Sequence, residues 1–265
     1  MTNSQPFPVK PFPEATVLIT GGTSGIGLAA ARHFAAAGVR KIMLNGRNAE
    51  RGEKACLSVM EPTPTAKVEF CAADISKVED ARRLTDRTVD LFGGIDVLVN
   101  CAGGDHAPEL FHDMDITDIQ KMLIHFVAGP QQMCRLVLPH MTKAGGGAII
   151  NVASDAAKFP TPGESVIGGC MAALVMFTKT LAMEAKRVGV RANALTPSIV
   201  SGTRTYDRVM KGGFSAKLFD KAIKAARLGV VTPEDIAPMI VFMAGPQGAR
   251  MTGQAISING GISAG

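Results

Sequence analysis

The chain has 265 residues, 46% of them hydrophobic and 19% charged, a balance that excludes a disordered polypeptide and suits one α/β domain around one core. Its net charge is +5, but with one Tyr, no Trp and no nucleic-acid-binding motif the excess does not point to a nucleic-acid partner. No run reaches about 18 uninterrupted apolar residues, so no membrane span is expected.

Residues 1–14, MTNSQPFPVKPFPE, place prolines at 6, 8, 11 and 13 and lack the apolar stretch of a secretory signal. They predict an extended arm. ATVLIT (15–20) is short, β-branched and runs into a glycine loop, so it predicts a strand, and LAAARHFAAAG (28–38) predicts a helix with a glycine stop. KIMLNG (41–46) predicts a strand, 49–60 a helix, KVEFCAAD (67–74) a strand, and 78–94 an amphipathic helix closed by glycines. IDVLVNCAG (95–103) is the fourth predicted strand, and the pattern over 116–143 is helical. GGAIINVAS (146–154) predicts a strand, 166–187 a helix, and VRANALTPS (190–198) a strand entering a loop. Short helices follow over 204–227, a helix over 233–244, and a last strand, AISINGG, over 255–261.

Repeated strand–helix units with near-continuous apolar strands predict a parallel sheet covered on both faces. No composition break marks a second domain, so residues 15–265 are expected to form a single doubly wound, Rossmann-like α/β domain with ligands at the carboxyl ends of its strands. Five cysteines, Cys56, Cys71, Cys101, Cys134 and Cys170, show neither metal-site nor CxxC spacing. They read as reduced, mostly buried thiols of a cytoplasmic protein.

The loop 20-TGGTSGIG-27 stands between the first strand and the first helix. Glycines there allow a tight turn and a close approach of pyrophosphate to backbone, and the helix N-terminus offers N–H groups and a positive dipole end. A cluster of glycines is weak evidence alone and strong in this position. With it, the chain resembles the short-chain dehydrogenases/reductases nearly end to end. TGGTSGIG resembles the family's TGxxxGxG loop, and Asp74 matches its adenine-contacting acid. NCAG (100–103) is similar to its NNAG motif, IINVAS (149–154) ends at the position of its catalytic serine, Ser154, and ALTPS (194–198) resembles its NPG loop with Ser198 in place of glycine.

The resemblance implies a nicotinamide dinucleotide held by Gly21, Thr23, Ser24, Gly25, Ile26, Gly27, Asn45, Arg47, Asp74, Ile75, Asn100, Ala102, Gly103, Pro197 and Ile199. The second strand ends in LNGR, with no carboxylate to select NAD(H) through both ribose hydroxyls. Asn45 and Arg47 leave room and charge for a 2′-phosphate, which favours NADP(H). Alternatively, Arg47 simply solvates a helix start.

One departure stands out. In the family a tyrosine follows the serine by thirteen residues and a lysine follows four later, so that the ammonium lowers the phenol pKa and the phenol protonates the substrate oxygen. Here those positions are Ile167 and Met171, and the one tyrosine is Tyr206. A fourth family position, an asparagine, matches His125. Ser154 and His125 are therefore the candidate catalytic residues, His125 being equally readable as a core histidine bonded to backbone.

Three readings follow. The first is an atypical NADP(H)-dependent oxidoreductase reducing a carbonyl or conjugated C=C, its proton coming from water, Asp155, Lys158, Glu164, His125 or Tyr206. The second is a lyase or isomerase with His125 or Glu164 as base, and the third a catalytically silent nucleotide-binding protein. Glu164 also reads as a helix cap.

Residues 199–228 match the family's substrate lid. Between Arg204 and Arg227 they hold seven basic and two acidic residues, which either hold the phosphate of an acyl-CoA substrate or form a solvated helix face. Gly168 and Gly169, inside a helix, either open space for a bulky substrate or allow close packing. The resemblance also implies a homo-oligomer, a tetramer or dimer.

Overall fold

The computed structural model describes residues 7–104 and 106–264, so the first six residues of the predicted arm lie outside the described residues. Seven strands form one parallel sheet in the order β3-β2-β1-β4-β5-β6-β7: β1 Thr16–Thr20, β2 Lys41–Gly46, β3 Lys67–Ala72, β4 Val97–Asn100, β5 Gly147–Val152, β6 Val190–Leu195 and β7 Ala255–Ile256. The strand order reverses between β1 and β4. Crossovers leave in opposite directions there, which opens a crevice at the carboxyl ends.

The first helices are α1 Gly25–Ala36, α2 Ala49–Met60 and α3 Val78–Phe92; the later ones are α6 Ser165–Ala185, α7 Arg204–Val209, α8 Gly213–Ala225 and α9 Pro233–Ala244. Between them, 116–143 is helical throughout, as α4 Ile116–Leu123, a π-turn Ile124–Ala128 and α5 Gly129–Lys143. Pro130 gives the reason for the wider turn: it has no N–H for the Phe126 carbonyl, and its ring would crowd that carbonyl in an ordinary α-turn.

Period-two alternation along the strands builds one core on each face. Val17, Ile19, Ile42 and Leu44 pack with Phe34 and Ile240 of α1 and α9. Leu18, Met43, Leu98 and Ile149 point the other way, onto Leu84, Met133 and Val137 of α3 and α5. β1 is buried along its whole length, as a central strand covered on both faces must be. Arg191 of β6 is also buried, donating to the carbonyls of Ala244 (2.8 Å), Gly248 (2.8 Å) and Met243. It thereby ties the sheet to the C-terminal end of α9.

The last strand is shorter than the sequence pattern suggests. Only Ala255 and Ile256 pair with β6. Beyond them the chain turns, because Asp155 draws it away from the sheet: Asn259 donates to Asp155 at 3.0 Å, Ser257 at 3.3 Å, and Ser263 also bonds it. Gly260 and Gly261, at φ 67° and 82°, make that turn possible.

The helix Ser165–Val188 has a mean hydropathy of 1.7 and is long and apolar enough to cross a membrane by length and composition, although polar residues interrupt its apolar run. In the fold it packs along β6, buries Leu174 and Leu181 and exposes Met176 and Met183. Gly168 passes the turn after β5 so closely that a Cβ would lie 3.0 Å from the Ala156 carbonyl; it is there for packing.

Candidate functional site

A cavity of about 330 Å³ opens at the carboxyl ends of β1, β4, β5 and β6. Behind it runs a chain of buried polar side chains, of which Asn100 borders the cavity. Thr20 bonds Asn100 (3.5 Å), Asn100 donates to Asn151 (2.9 Å), and Asn151 donates to Thr178 of α6 (2.8 Å). Asn100 also donates to the Pro130 carbonyl (3.2 Å), and the Cys101 amide donates to Thr20 (3.2 Å). Asn100 therefore faces the cavity as an anchored wall.

At one end lies the glycine turn. Gly21 adopts φ 66°, and a Cβ there would sit 2.6 Å from the Cys101 carbonyl. A Cβ on Gly27 would sit 2.5 Å from the Gly21 carbonyl. Both positions exclude any side chain, so the turn folds tightly over the start of α1. Ser24 occupies the N-cap of α1, yet no side chain caps the helix. Its first N–H groups and dipole face the cavity, an arrangement suited to a phosphate. Gly27 does not line the cavity itself; it packs behind the turn that does.

The wall beyond β2 and β3 carries Arg47, Arg51, Asp74 and Ile75. Burial alone would raise the Asp74 carboxyl, but the Ser76 hydroxyl (2.7 Å) and amide (3.1 Å), with Arg47 beyond them, hold it below the usual carboxylate value. Asp74 thus presents a fixed negative charge. Asn45 also lines the cavity, but its amide is committed to the carbonyls of Cys71 (3.1 Å) and Ala73 (3.0 Å). It shapes the pocket by bridging β2 to the end of β3.

At the other end stands Ser154, whose Oγ accepts from the Ala156 amide at 3.2 Å. Ile167, Met171 and Leu174 of α6 line the cavity around it, and all three are buried. His125, within the π-turn, bonds the Gly103 carbonyl through Nε2 at 2.9 Å. A carbonyl only accepts, so Nε2 carries the proton and the ring holds the 103–104 loop. Ala102, Gly103, Pro197 and Ile199 complete the expected set around the cleft.

Among the five side chains read as proton sources, two are turned away. Lys158 donates to the Ala255 carbonyl (3.1 Å) and Ser257 (2.9 Å). Asp155 is buried in its network with Ser257, Asn259 and Ser263. Neither borders the cavity, whereas His125, Glu164 and Tyr206 do. Cys101 borders it too, but burial pushes its thiol up to about 12, so it stays protonated and is no nucleophile.

The segment after β6 also lines the cavity, and it brings two of the basic residues noted in the sequence to it. Thr203 closes over the glycine turn, its methyl 3.3 Å from where a Gly25 Cβ would stand. Arg204 and Arg208 of α7 line the cavity, and Arg208 donates to the Gly104 carbonyl at 3.1 Å. The remaining bases of the segment, Lys211, Lys217, Lys221, Lys224 and Arg227, are exposed to solvent and do not border it. His106 and Pro108, on the loop after β4, also border the cleft; no local motif announces them.

Comparison with known proteins agrees with this architecture. Residues 15–211 match the family model of the short chain dehydrogenases. The chain is 32% identical over 264 residues to Dehydrogenase/reductase SDR family member 4 of Caenorhabditis elegans, covering 98% of this chain and 99% of that protein. It is 32% identical over 247 residues to the 3-oxoacyl-[acyl-carrier-protein] reductase FabG of Chlamydia pneumoniae, covering 93% and 96%. Among solved structures, levodione reductase superposes with a TM-score of 0.89 at 26% identity, covering 94% of this chain and 98% of that one. The 3-ketoacyl-(acyl-carrier-protein) reductase of Brucella melitensis, solved with NADH, gives 0.84 at 28% identity, covering 94% and 98%. The chain is a member of the short-chain dehydrogenase family, a family of oxidoreductases.

Proposed function

We propose that the protein is an NADP(H)-dependent reductase of an unusual kind, acting on a carbonyl or conjugated C=C of a small organic or acyl-thioester substrate. One observation carries this reading: a single cavity joins an uncapped helix N-terminus, Arg47 just after β2 where no NAD(H)-selecting carboxylate stands, Arg51 of α2, and Ser154. A bound nicotinamide cofactor would supply the hydride.

The chain's own groups do the rest. The α1 N-terminus and the glycine turn bind pyrophosphate, Asp74 fixes the adenosine end, and Arg47 and Arg51 hold a 2′-phosphate through charge-assisted bonds. The Ser154 hydroxyl donates a hydrogen bond to the developing oxyanion, which stabilises charge without supplying a proton. Ile167 and Met171 keep water off the reacting carbon. Such a wall suits an α,β-unsaturated carbonyl, whose enolate needs hydrogen bonds first and a proton afterwards. Arg204 and Arg208 on the lid favour a substrate with a carboxylate or phosphate.

The exposed Met176 and Met183 on α6 are the face through which we expect a homo-oligomer, a dimer or tetramer, to form. All five cysteines are free, in keeping with a reducing, cytoplasmic setting. The apolar Ile167 and Met171 favour a second reading, a nucleotide-binding protein without catalysis. Mixing the protein with NADPH or NADH and a panel of enones, enoyl-CoAs and ketones, while following the absorbance of the reduced cofactor, separates the two. Consumption of NADPH with one class of substrate supports the reductase. Tight binding without consumption supports the silent binder, and failure to bind either nucleotide overturns both.

A further inference from the structure

A reductase with this wall needs a proton at the reacting end. Ser154 is too weak an acid, Asp155 and Lys158 face the closing strand, and His125 is committed to Gly103 through its Nε2. Glu164 and Tyr206 remain on the cavity wall, and of the two Glu164 has the more specific position, at the start of the helix that carries Ile167 and Met171. It stands three residues before Ile167 and seven before Met171, the spacing that stacks side chains on one helix face. Glu164, Ile167, Met171 and Leu174 all border the cavity, so Glu164, at the N-cap of α6, shares the cavity wall with the position where the family carries its phenol.

Resting on the reductase reading, we propose that Glu164 takes over the phenol's task and delivers the proton to the substrate oxygen.

Three features support the assignment. First, Glu164 does not cap α6: it occupies the N-cap, yet its side chain makes no capping bond there and is held by the Thr161 hydroxyl instead. Second, its approach is shaped. Gly163 adopts φ 85° and packs so tightly under Phe214 of α8 that a Cβ would lie 2.6 Å from that ring, while the Gly163 carbonyl accepts from the Glu109 amide at 2.8 Å. Glu109 and Phe214 therefore bring the 106–110 segment and α8 against the start of α6. Third, burial in this corner, with the charge of Asp155 behind it, raises the carboxyl to about 6, against the pull of Thr161. It exchanges protons near neutrality, as a general acid must. The other ionisable groups bordering the cavity are His125 on the π-turn, His106 on the loop after β4, Arg204, Tyr206 and Arg208 on α7, and Arg47, Arg51, Asp74 and Cys101 on the walls beside the glycine turn.

A bound reduced nicotinamide would supply the hydride, with its electron pair, to the carbonyl carbon as the C=O π bond breaks, and would itself be oxidised by two electrons while the carbonyl is reduced by two. Glu164 gives its proton to the oxygen, forming an alcohol and leaving a carboxylate that water reprotonates.

The test combines Glu164→Gln, Glu164→Asp and Tyr206→Phe in the full-length protein. For a substrate that the wild type reduces, Glu164→Gln is expected to lower kcat at least about 100-fold, in the range that general acids contribute. Its NADPH affinity by calorimetry should stay within about 2-fold, because the residue lies away from the phosphate turn. Glu164→Asp should restore part of the rate, and the wild-type fall of kcat with rising pH should vanish in Glu164→Gln. A carboxyl ¹³C resonance absent from Glu164→Gln should titrate near 6 and move when an enol or alcohol product analogue binds. Unchanged kcat and pH profile in Glu164→Gln, or loss of turnover in Tyr206→Phe instead, overturns the assignment while leaving the reductase reading standing. A wild type that binds NADPH but reduces nothing removes the reading and the assignment together.

Discussion

Replacing Arg191 with Met tests whether the sheet is fastened to α9 as described. Arg191 is 8% exposed, and its guanidinium gives three hydrogen bonds, to Met243, Ala244 and Gly248, all of them carbonyls at or just beyond a helix end. Burial lowers its pKa, but an arginine keeps its charge even so, and the negative end of the helix dipole offsets part of its desolvation. Met fills a similar volume and donates nothing. Each buried carbonyl left without a donor costs about 1–3 kcal/mol, while removing the buried charge returns several kcal/mol of desolvation. Water entering beside Gly248 would satisfy some of the loss. The net expectation is a destabilisation of about 2–4 kcal/mol. Urea unfolding at fixed protein concentration, followed by far-UV circular dichroism, measures it. Arg191→Lys should fall between, since an ammonium is a point donor that cannot span three carbonyls. A Met variant within about 0.5 kcal/mol of wild type, the scatter of ordinary surface changes, would refute the fastening.

Three further outcomes are expected. Gly27→Ala forces a Cβ to 2.5 Å from the Gly21 carbonyl and should weaken NADPH binding at least about 10-fold in calorimetry, since the turn must shift away from the phosphate. Arg47→Ala should weaken NADPH by about 10-fold, the worth of one charge-assisted contact, and leave NADH nearly unchanged; equal losses for both would remove the 2′-phosphate role. For Glu164 the folded-state value of about 6 lies above the ordinary 4.5, so protonation favours the folded state. That stability is fully present below about 4.5 and is lost as pH rises through about 6. Glu164→Gln should therefore be more stable than wild type by up to ~2 kcal/mol above pH 7 and not near pH 4, by thermal melts across pH.

The strands and helices were legible because their periodicity is local. KIMLNG, AERGEKACLSVM and 233–244 read out directly, since apolar spacing and flanking residues sit within each segment. The last strand was misjudged because its shortening depends on Asp155, about a hundred residues away along the chain. The helix over 116–143 was legible, but not the π-turn that aims His125 at Gly103. At the site, the glycine turn, Asp74 and Ser154 could be placed from motifs. Glu164 could not be resolved as cap or cavity residue, because both readings put a carboxylate at a helix start. His106 reaches the cleft from a loop that no motif marks, and of the basic cluster over 204–227 only Arg204 and Arg208 border it; which members do so is set by tertiary contact, and no spacing rule encodes that.

The polar chain Thr20–Asn100–Asn151–Thr178 passes from β1 through β4 and β5 to α6. Every member answers a neighbour, so none can swing toward a visitor without stranding the next. Adaptation to molecules of different shape must then fall to the roof: the excursion through α7 and α8, whose two ends are joined by the bridge between Val200 and Val231. Evolution of preference in this molecule should accordingly be written in its cover, with the bed beneath left alone.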